Sequence, residues 1–397
     1  MEQLKSKSNQ LVSGLETTFS RYLNDKIDWS WRLNGILGSR GTGKTTMLLQ
    51  QLKNKHQLNE DAIYVSLDDF YFSNNRFFDF AIAFHQKGGK YLYADEVHKY
   101  KNWSIEFKNI YDTYPGLNIV FTGSSMVDIL RQDADLSRRA VFYKLSGLSF
   151  REFLHLTGIY TVEPITLDFL ITNHVEIASE IIKKIKPLQH FENYLKYGYY
   201  PYFNENSRLY YHRLEQTMNL ILETDLNFIE GFDQRNIFKI KQLLYILSAN
   251  VPLKPNISKL SEKTKISRNT LLTYLHYLEK AQLIQSVYPS GISISILQKP
   301  EKIYLNNTNI SFLLASEAPD KGTLRETFFL NQLKCGHVVE TSKVGDFIID
   351  NKYIFEIGGK NKTRKQIKET PEAYIVADDI ETGAYNKIPL WLFGLLY

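Results

Sequence analysis

The run Gly38-Ser39-Arg40-Gly41-Thr42-Gly43-Lys44-Thr45-Thr46 contains the pattern G-x-x-x-x-G-K-[ST]. Glycines at these spacings let successive backbone N–H groups turn toward phosphate oxygens, and a helix starting near Lys44 adds the positive end of its dipole. Lys44 would reach the β- and γ-phosphates, and the Thr45 hydroxyl would face Mg2+. Residues 38–46 are therefore the expected nucleotide contacts, with ATP and Mg2+ the expected cofactors. Fifty residues beyond Thr45, the apolar run Tyr91-Leu92-Tyr93-Ala94 ends in Asp95-Glu96. An acidic pair at the carboxyl end of a strand stands where ligands gather in open parallel sheets. Asp95 is expected to hold Mg2+ through water together with Thr45, and Glu96 to orient or deprotonate the attacking water.

Two further groups belong to this chemistry. Phe121-Thr122-Gly123-Ser124-Ser125 brings hydroxyls to the end of another apolar run, so Thr122 or Ser124 is a candidate sensor of the γ-phosphate; a helix-capping turn is the alternative. Arg138-Arg139 offers a guanidinium for charge developing on a transferred phosphoryl group, or else a solvated basic pair. The expected catalytic residues are Lys44, Glu96 and Arg139.

These groups need a sheet to carry them. Leu33–Leu37, Ala62–Leu67, Tyr91–Ala94, Asn118–Thr122 and Val141–Leu145 are short apolar runs. Helical patterns near 44–52, 77–86 and 104–114 separate the first four, the alternation of a parallel sheet flanked by helices. Leu4, Leu11, Leu15, Phe19 and Leu23 predict one amphipathic helix over 3–23. Helical periodicity dominates residues 150–250. Ile257–Lys263, a turn over 264–266 and Ser267–Leu278 have helix-turn-helix spacing, with Ser267 as N-cap. Residues 287–297 alternate around Pro289-Ser290-Gly291 as a β-hairpin wing would. Residues 251–310 hold eight Lys or Arg and three Glu, a net +5 that equals the net charge of the whole chain. Lys263, Lys265 and Arg268 flank the second helix and are candidate DNA contacts, although Leu271, Leu272, Tyr274 and Tyr277 are bulky where base-reading side chains are usually polar.

Taken together, several segments resemble the prokaryotic AAA-type ATPases that carry a carboxy-terminal domain of unknown function related to restriction endonucleases. The carriers are Gly38–Thr45, Asp95-Glu96-Val97-His98-Lys99 with Asn102-Trp103, Thr122–Ser125, Leu136-Ser137-Arg138-Arg139, Leu148-Ser149-Phe150-Arg151-Glu152-Phe153 and the run from Tyr194 to Pro201. The resemblance aligns Arg139 with the family's arginine and Arg138 with a glycine, which favours Arg139 as the finger, acting across a homo-oligomer interface. It also implies a winged helix followed by a nuclease-like fold whose chemistry needs a helix Glu, an Asp after a hairpin strand and Glu-x-Lys on the next strand. Glu326, Asp346 and Glu356 fall in that order. Gly358 occupies the lysine slot and Lys360 lies two residues beyond it, so the nuclease-like part is expected to be degenerate.

The expected fold is α/β: a AAA-type parallel sheet over 1–147, a helical lid over 148–235, a winged helix over 236–315 and a small nuclease-like α/β domain over 316–397. Hydrophobic residues at 43% and charged residues at 23% exclude a disordered or collagenous chain. The longest apolar stretch, 388–397, is too short for a membrane helix, and the amino terminus lacks a signal-peptide pattern. A single cysteine, Cys335, suits a reducing compartment, so a cytoplasmic location is expected. The sequence thus predicts an ATPase coupling nucleotide state to DNA engagement; the alternatives are an ATP-gated, Mg-dependent nuclease and a signalling or scaffold ATPase that touches no DNA.

Overall fold

A parallel sheet buried on both faces requires strands that are apolar almost throughout, and the first strand is buried at all five positions. The computed structural model describes every residue except 58, 124–135, 137, 229–231, 233, 291–298, 316 and 368–369. Ser124 lies outside the described residues. The chain forms two units, Met1–Gly147 with Thr224–Phe232, and Leu148–Glu223 with Asp233–Tyr397.

The amino-terminal unit runs α1 (Glu2–Ser13), β1 (Leu33–Leu37), α2 (Lys44–His56), β2 (Ala62–Ser66), α3 (Phe77–Gln86), β3 (Tyr91–Asp95), α4 (Trp103–Thr113), β4 (Asn118–Gly123) and β5 (Val141–Lys144). The strands form one parallel sheet in the order β2-β3-β4-β1-β5. Gly35 of β1 is in register with Phe121 on one side and Phe142 on the other. A Cβ there would stand 2.6 Å from the Phe121 ring and 2.9 Å from that of Phe142, so two neighbouring rings fill the space that a side chain would take. Phe121 also meets Trp103 and Phe107 of α4 at 5.3 Å between ring centroids. Much of the aromatic content of this unit is core.

The expected helix over 3–23 is shorter in the structure. α1 stops before Gly14, and its buried face is Leu4, Ser8 and Val12, while Leu11 is exposed. A glycine costs a helix interior about 1 kcal/mol relative to alanine. The true four-residue repeat passes through a serine, which apolar periodicity cannot register; Ser8 Oγ accepts from Tyr64 N at 3.1 Å.

The carboxyl-terminal unit holds α5 (Phe150–Leu156), α6 (Leu167–Ile182), α7 (Pro187–Tyr197), α8 (Tyr210–Glu223), α9 (Ile237–Ser248), α10 (Ile257–Thr264), α11 (Arg268–Lys280), β6 (Ile284–Val287), β7 (Lys302–Leu305), α12 (Thr308–Leu314) and α13 (Lys321–Leu333). Then come β8 (Val339–Thr341), β9 (Phe347–Ile349), β10 (Tyr353–Gly358), β11 (Ala373–Ala377) and β12 (Lys387–Pro389). Ser149 and Glu152 form a reciprocal capping box at the start of α5, which accounts structurally for the Leu148–Phe153 motif. Asn309 donates to the Tyr194 and Leu195 carbonyls and accepts from Tyr199 N, so one buried amide anchors the Tyr194–Pro201 run. β6 pairs antiparallel with β7. All four residues of β6 are buried; most of the hairpin wing expected over 287–297, residues 291–297, lies outside the described residues. A five-stranded sheet, β12-β11-β10-β9-β8, closes the unit. Ile349 pairs with Tyr353 across the β9–β10 connection, and Asp350 and Asn351 within it are both at positive φ, as the central residues of a type I′ turn must be.

Candidate active site

The phosphate loop leaves β1 and enters α2. Gly41 and Gly43 take φ of 82° and 92°, conformations that favour glycine, and a Cβ at Gly38 would lie 2.4 Å from the Leu145 carbonyl oxygen. Thr42 Oγ1 donates to Ser39 O at 2.9 Å, and Lys44 Nζ donates to Gly38 O and Ser39 O, both at 2.9 Å. Burial pushes the Lys44 ammonium below its ordinary range, opposed by Glu96, Asp95 and Asp225. Arg21, buried at 4% exposure, donates to Thr42 O and also to Ser146 O at 2.8 Å and Gly147 O at 3.0 Å. No spacing in the sequence marked Arg21, which falls within the stretch expected to continue α1.

Asp95 ends β3, and its carboxylate gathers four donors. Thr45 Oγ1 donates at 2.6 Å, Tyr64 Oη at 2.9 Å and Glu96 N at 3.1 Å, and Thr122 Oγ1 donates to Oδ1. Thr122 thus orients the acidic residue. Burial, then Asp95 itself, raises the Tyr64 phenol and keeps it a donor. Glu96 takes φ 54° and lies 3.4 Å from His98 Nε2 and 3.7 Å from Lys99 Nζ. Burial, with Lys44, Arg40 and Lys99, moves the His98 imidazole down to about 3; the His98–Glu96 contact is therefore made by a neutral ring at neutral pH.

Hard oxygen donors suit Mg2+. The Thr45 hydroxyl and Asp95 carboxylate, already within hydrogen-bond distance, fit that ion; Lys44 and the loop amides fit phosphates.

Residues 30–154 match the model of a AAA domain. The amino-terminal unit is a P-loop domain of the AAA type. Residues 188–319 match a domain of unknown function, DUF8612. An uncharacterized protein of Methanocaldococcus jannaschii is 27% identical over 385 residues, which cover 89% of this chain and 81% of that protein. Among solved structures, AMPPCP-bound DnaA from Aquifex aeolicus is 15% identical with a TM-score of 0.26, covering 70% of this chain and 88% of that one. The ADP complex of Hsp104 from S. cerevisiae is 13% identical with a TM-score of 0.30, covering 70% and 42%.

The AAA unit does not place Arg139 beside its own phosphate loop. Arg139 stands two residues before β5, whose Val141 pairs with Asn34, so roughly 13 Å of strand separates that edge from Gly38. There its guanidinium makes two 2.8 Å bonds to the Asp112 carboxylate.

In the other unit, Lys263, Lys265 and Arg268 are exposed around the α10–α11 turn. Leu271 and Tyr274 are buried, which removes two of the four bulky residues from the outer surface of α11. Glu326 and Asp346 share Lys302, whose Nζ is 3.6 Å from each; Tyr304 Oη donates to Glu326 at 2.5 Å. Glu356 pairs with Lys362, two residues beyond the expected Lys360. The Lys362 stem crosses Gly358, where a Cβ would stand 2.7 Å from it. The empty slot thus admits a different lysine. Burial pushes the Glu326 and Glu356 carboxyls above their ordinary range, with Asp346 adding to both. Among the described residues, no group of three or more His, Cys, Asp or Glu is disposed to hold a metal ion, and no helix is long and apolar enough to cross a membrane.

Proposed function

We propose that the AAA unit binds ATP with Mg2+ and hydrolyses it, and that nucleotide state governs how the basic helix-turn-helix of the carboxyl-terminal unit engages duplex DNA. The observation that carries the hydrolytic part is the meeting of Thr45 with Asp95 beside Glu96. Thr45 and Asp95 would hold the metal, which supplies charge neutralisation for the transferred phosphoryl group. Glu96 accepts the proton of the attacking water, and Lys44 binds phosphate oxygens. The neutral imidazole of His98 stands 3.4 Å from Glu96 and brings no full positive charge to it. The exposed Lys263, Lys265 and Arg268 support the DNA part by charge and position.

Lys44→Ala should abolish tight ATP binding. Glu96→Gln should bind ATP and lose turnover, since one residue contacts phosphate and the other serves water. Turnover measured with and without duplex DNA separates the reading from a scaffold ATPase: DNA stimulation supports coupling, and normal hydrolysis by Glu96→Gln removes Glu96 as base. We also propose that the carboxylates Glu326, Asp346 and Glu356 do not form a working nuclease, because Lys302 and Lys362 are committed to them as counter-ions. Background cleavage of DNA with Mg2+ or Mn2+ is expected; strong cleavage lost in both Asp346→Ala and Lys362→Ala would restore the nuclease.

A further inference from the structure

Arg40 occupies the phosphate loop, yet its guanidinium is turned to a residue 185 positions away. Nη2 donates to Asp225 Oδ1 at 2.9 Å, and the Asp225 side chain is 4% exposed. Asp225 opens the short 3-10 turn Asp225–Phe228 within Thr224–Phe232. This segment folds with the AAA unit, although the chain before it, ending at Glu223, and the chain after it, from Asp233, belong to the carboxyl-terminal unit. Asp225 feels the charges of Arg40, Glu96 and Lys44, and Arg40 in turn feels Glu96 and Asp68. A buried carboxylate therefore lies among the cations that bind phosphates and the glutamate that serves water.

Such a pair is a poor way to gain stability. Desolvating both charges costs several kcal/mol, which their attraction barely offsets. Burial accordingly holds the Asp225 carboxyl above its ordinary range despite Arg40. The pair makes physical sense as a contact to be exchanged. A terminal phosphate offers Arg40 more charge and more acceptor oxygens than a carboxylate does, and two anions cannot share the site without repulsion.

We propose that Asp225 is a phosphate surrogate, holding Arg40 until a nucleoside triphosphate arrives, and that the γ-phosphate then takes Arg40 and expels Asp225, releasing the turn at 224–228. The inference rests on the nucleotide-binding reading above. ADP lacks the group that competes for Arg40 and leaves the pair in place. Because both ends of the segment continue into the other unit, release of the turn is an event which that unit receives directly through the chain.

Hydrogen exchange on wild-type protein gives the first measurement, on peptides covering 222–228. Exchange should accelerate with β,γ-methylene ATP and stay slow with ADP or no nucleotide. Asp225→Asn, which keeps the shape and removes the charge, should bind β,γ-methylene ATP about tenfold more tightly, the size expected for one relieved like-charge contact, with a much smaller change for ADP. Equal exchange in all three states, or equal triphosphate affinity in wild type and Asp225→Asn, overturns the surrogate while leaving nucleotide binding standing. If wild type and Asp225→Asn both bind no nucleotide, like the Lys44→Ala control, the nucleotide reading has failed and takes the surrogate with it.

Discussion

Thr45 Oγ1 and Asp95 Oδ2 lie 2.6 Å apart, although Asp95 belongs to β3 and Thr45 to the helix that follows β1, with β4 between those strands. The intervening strand contributes Thr122, whose hydroxyl bonds the same carboxylate. Sheet order thus converts two distant motifs into one oxygen cluster.

Thr45→Ala should leave the fold intact and lower stability by about 1.5–3 kcal/mol, the usual scale for a lost hydrogen bond to a charged group. ATP binding should persist but lose its dependence on Mg2+, whereas Thr45→Ser should retain it. Titration with ATP in Mg2+ and in EDTA checks this; an undiminished Mg2+ effect in Thr45→Ala removes Thr45 from the metal site.

His98 gives a pH signature. An unfolded chain protonates its histidine near pH 6.5, while the folded site resists until about 3. Below pH 6.5 the unfolded state therefore binds more protons, and stability falls as pH falls through that window. His98→Gln should show a flatter decline of melting temperature between pH 6.5 and 4. A parallel pair of curves would mean that His98 charges freely in the folded protein.

Arg139 tests assembly. Its bidentate contact with Asp112 is substantially exposed, with side chains at 26% and 44%, so breaking it should cost little stability. If Arg139 serves the nucleotide of a second copy, Arg139→Ala binds ATP normally and turns over poorly, and mixing it with Lys44→Ala restores part of the activity. No restoration, with a monomeric mass in ATP, ends that role.

Replacing Lys263, Lys265 and Arg268 by Ala should weaken duplex binding and reduce the slope of log affinity against log salt by up to about 3, one for each lost phosphate contact. Basal ATP turnover should not change. An unaltered slope would place any DNA elsewhere.

Local chemistry was legible in the sequence where one short segment contains it. Gly38–Thr45 had to form a loop before a helix, and Asp350-Asn351 had to turn. The signals failed where partners come from remote segments. Arg21 supports the loop through three backbone carbonyls, which leave no side-chain motif to read. Asp225 meets Arg40 because residues 224–232 join the AAA unit, and Lys362 reaches Glu356 because Gly358 leaves room for its stem. Apolar periodicity misjudged the first helix for the same kind of reason: Ser8 is buried because it bonds a backbone N–H, not because it is apolar.

Arg21 has a mechanical meaning. One guanidinium grips the phosphate loop at Thr42 and, at the same time, the two carbonyls of Ser146 and Gly147 where the chain leaves β5. The loop and the strand exit are thus tied by one side chain, without passing through the sheet. A displacement at either place must therefore break or drag the same guanidinium, so the phosphate loop and the way out of the unit share one anchor.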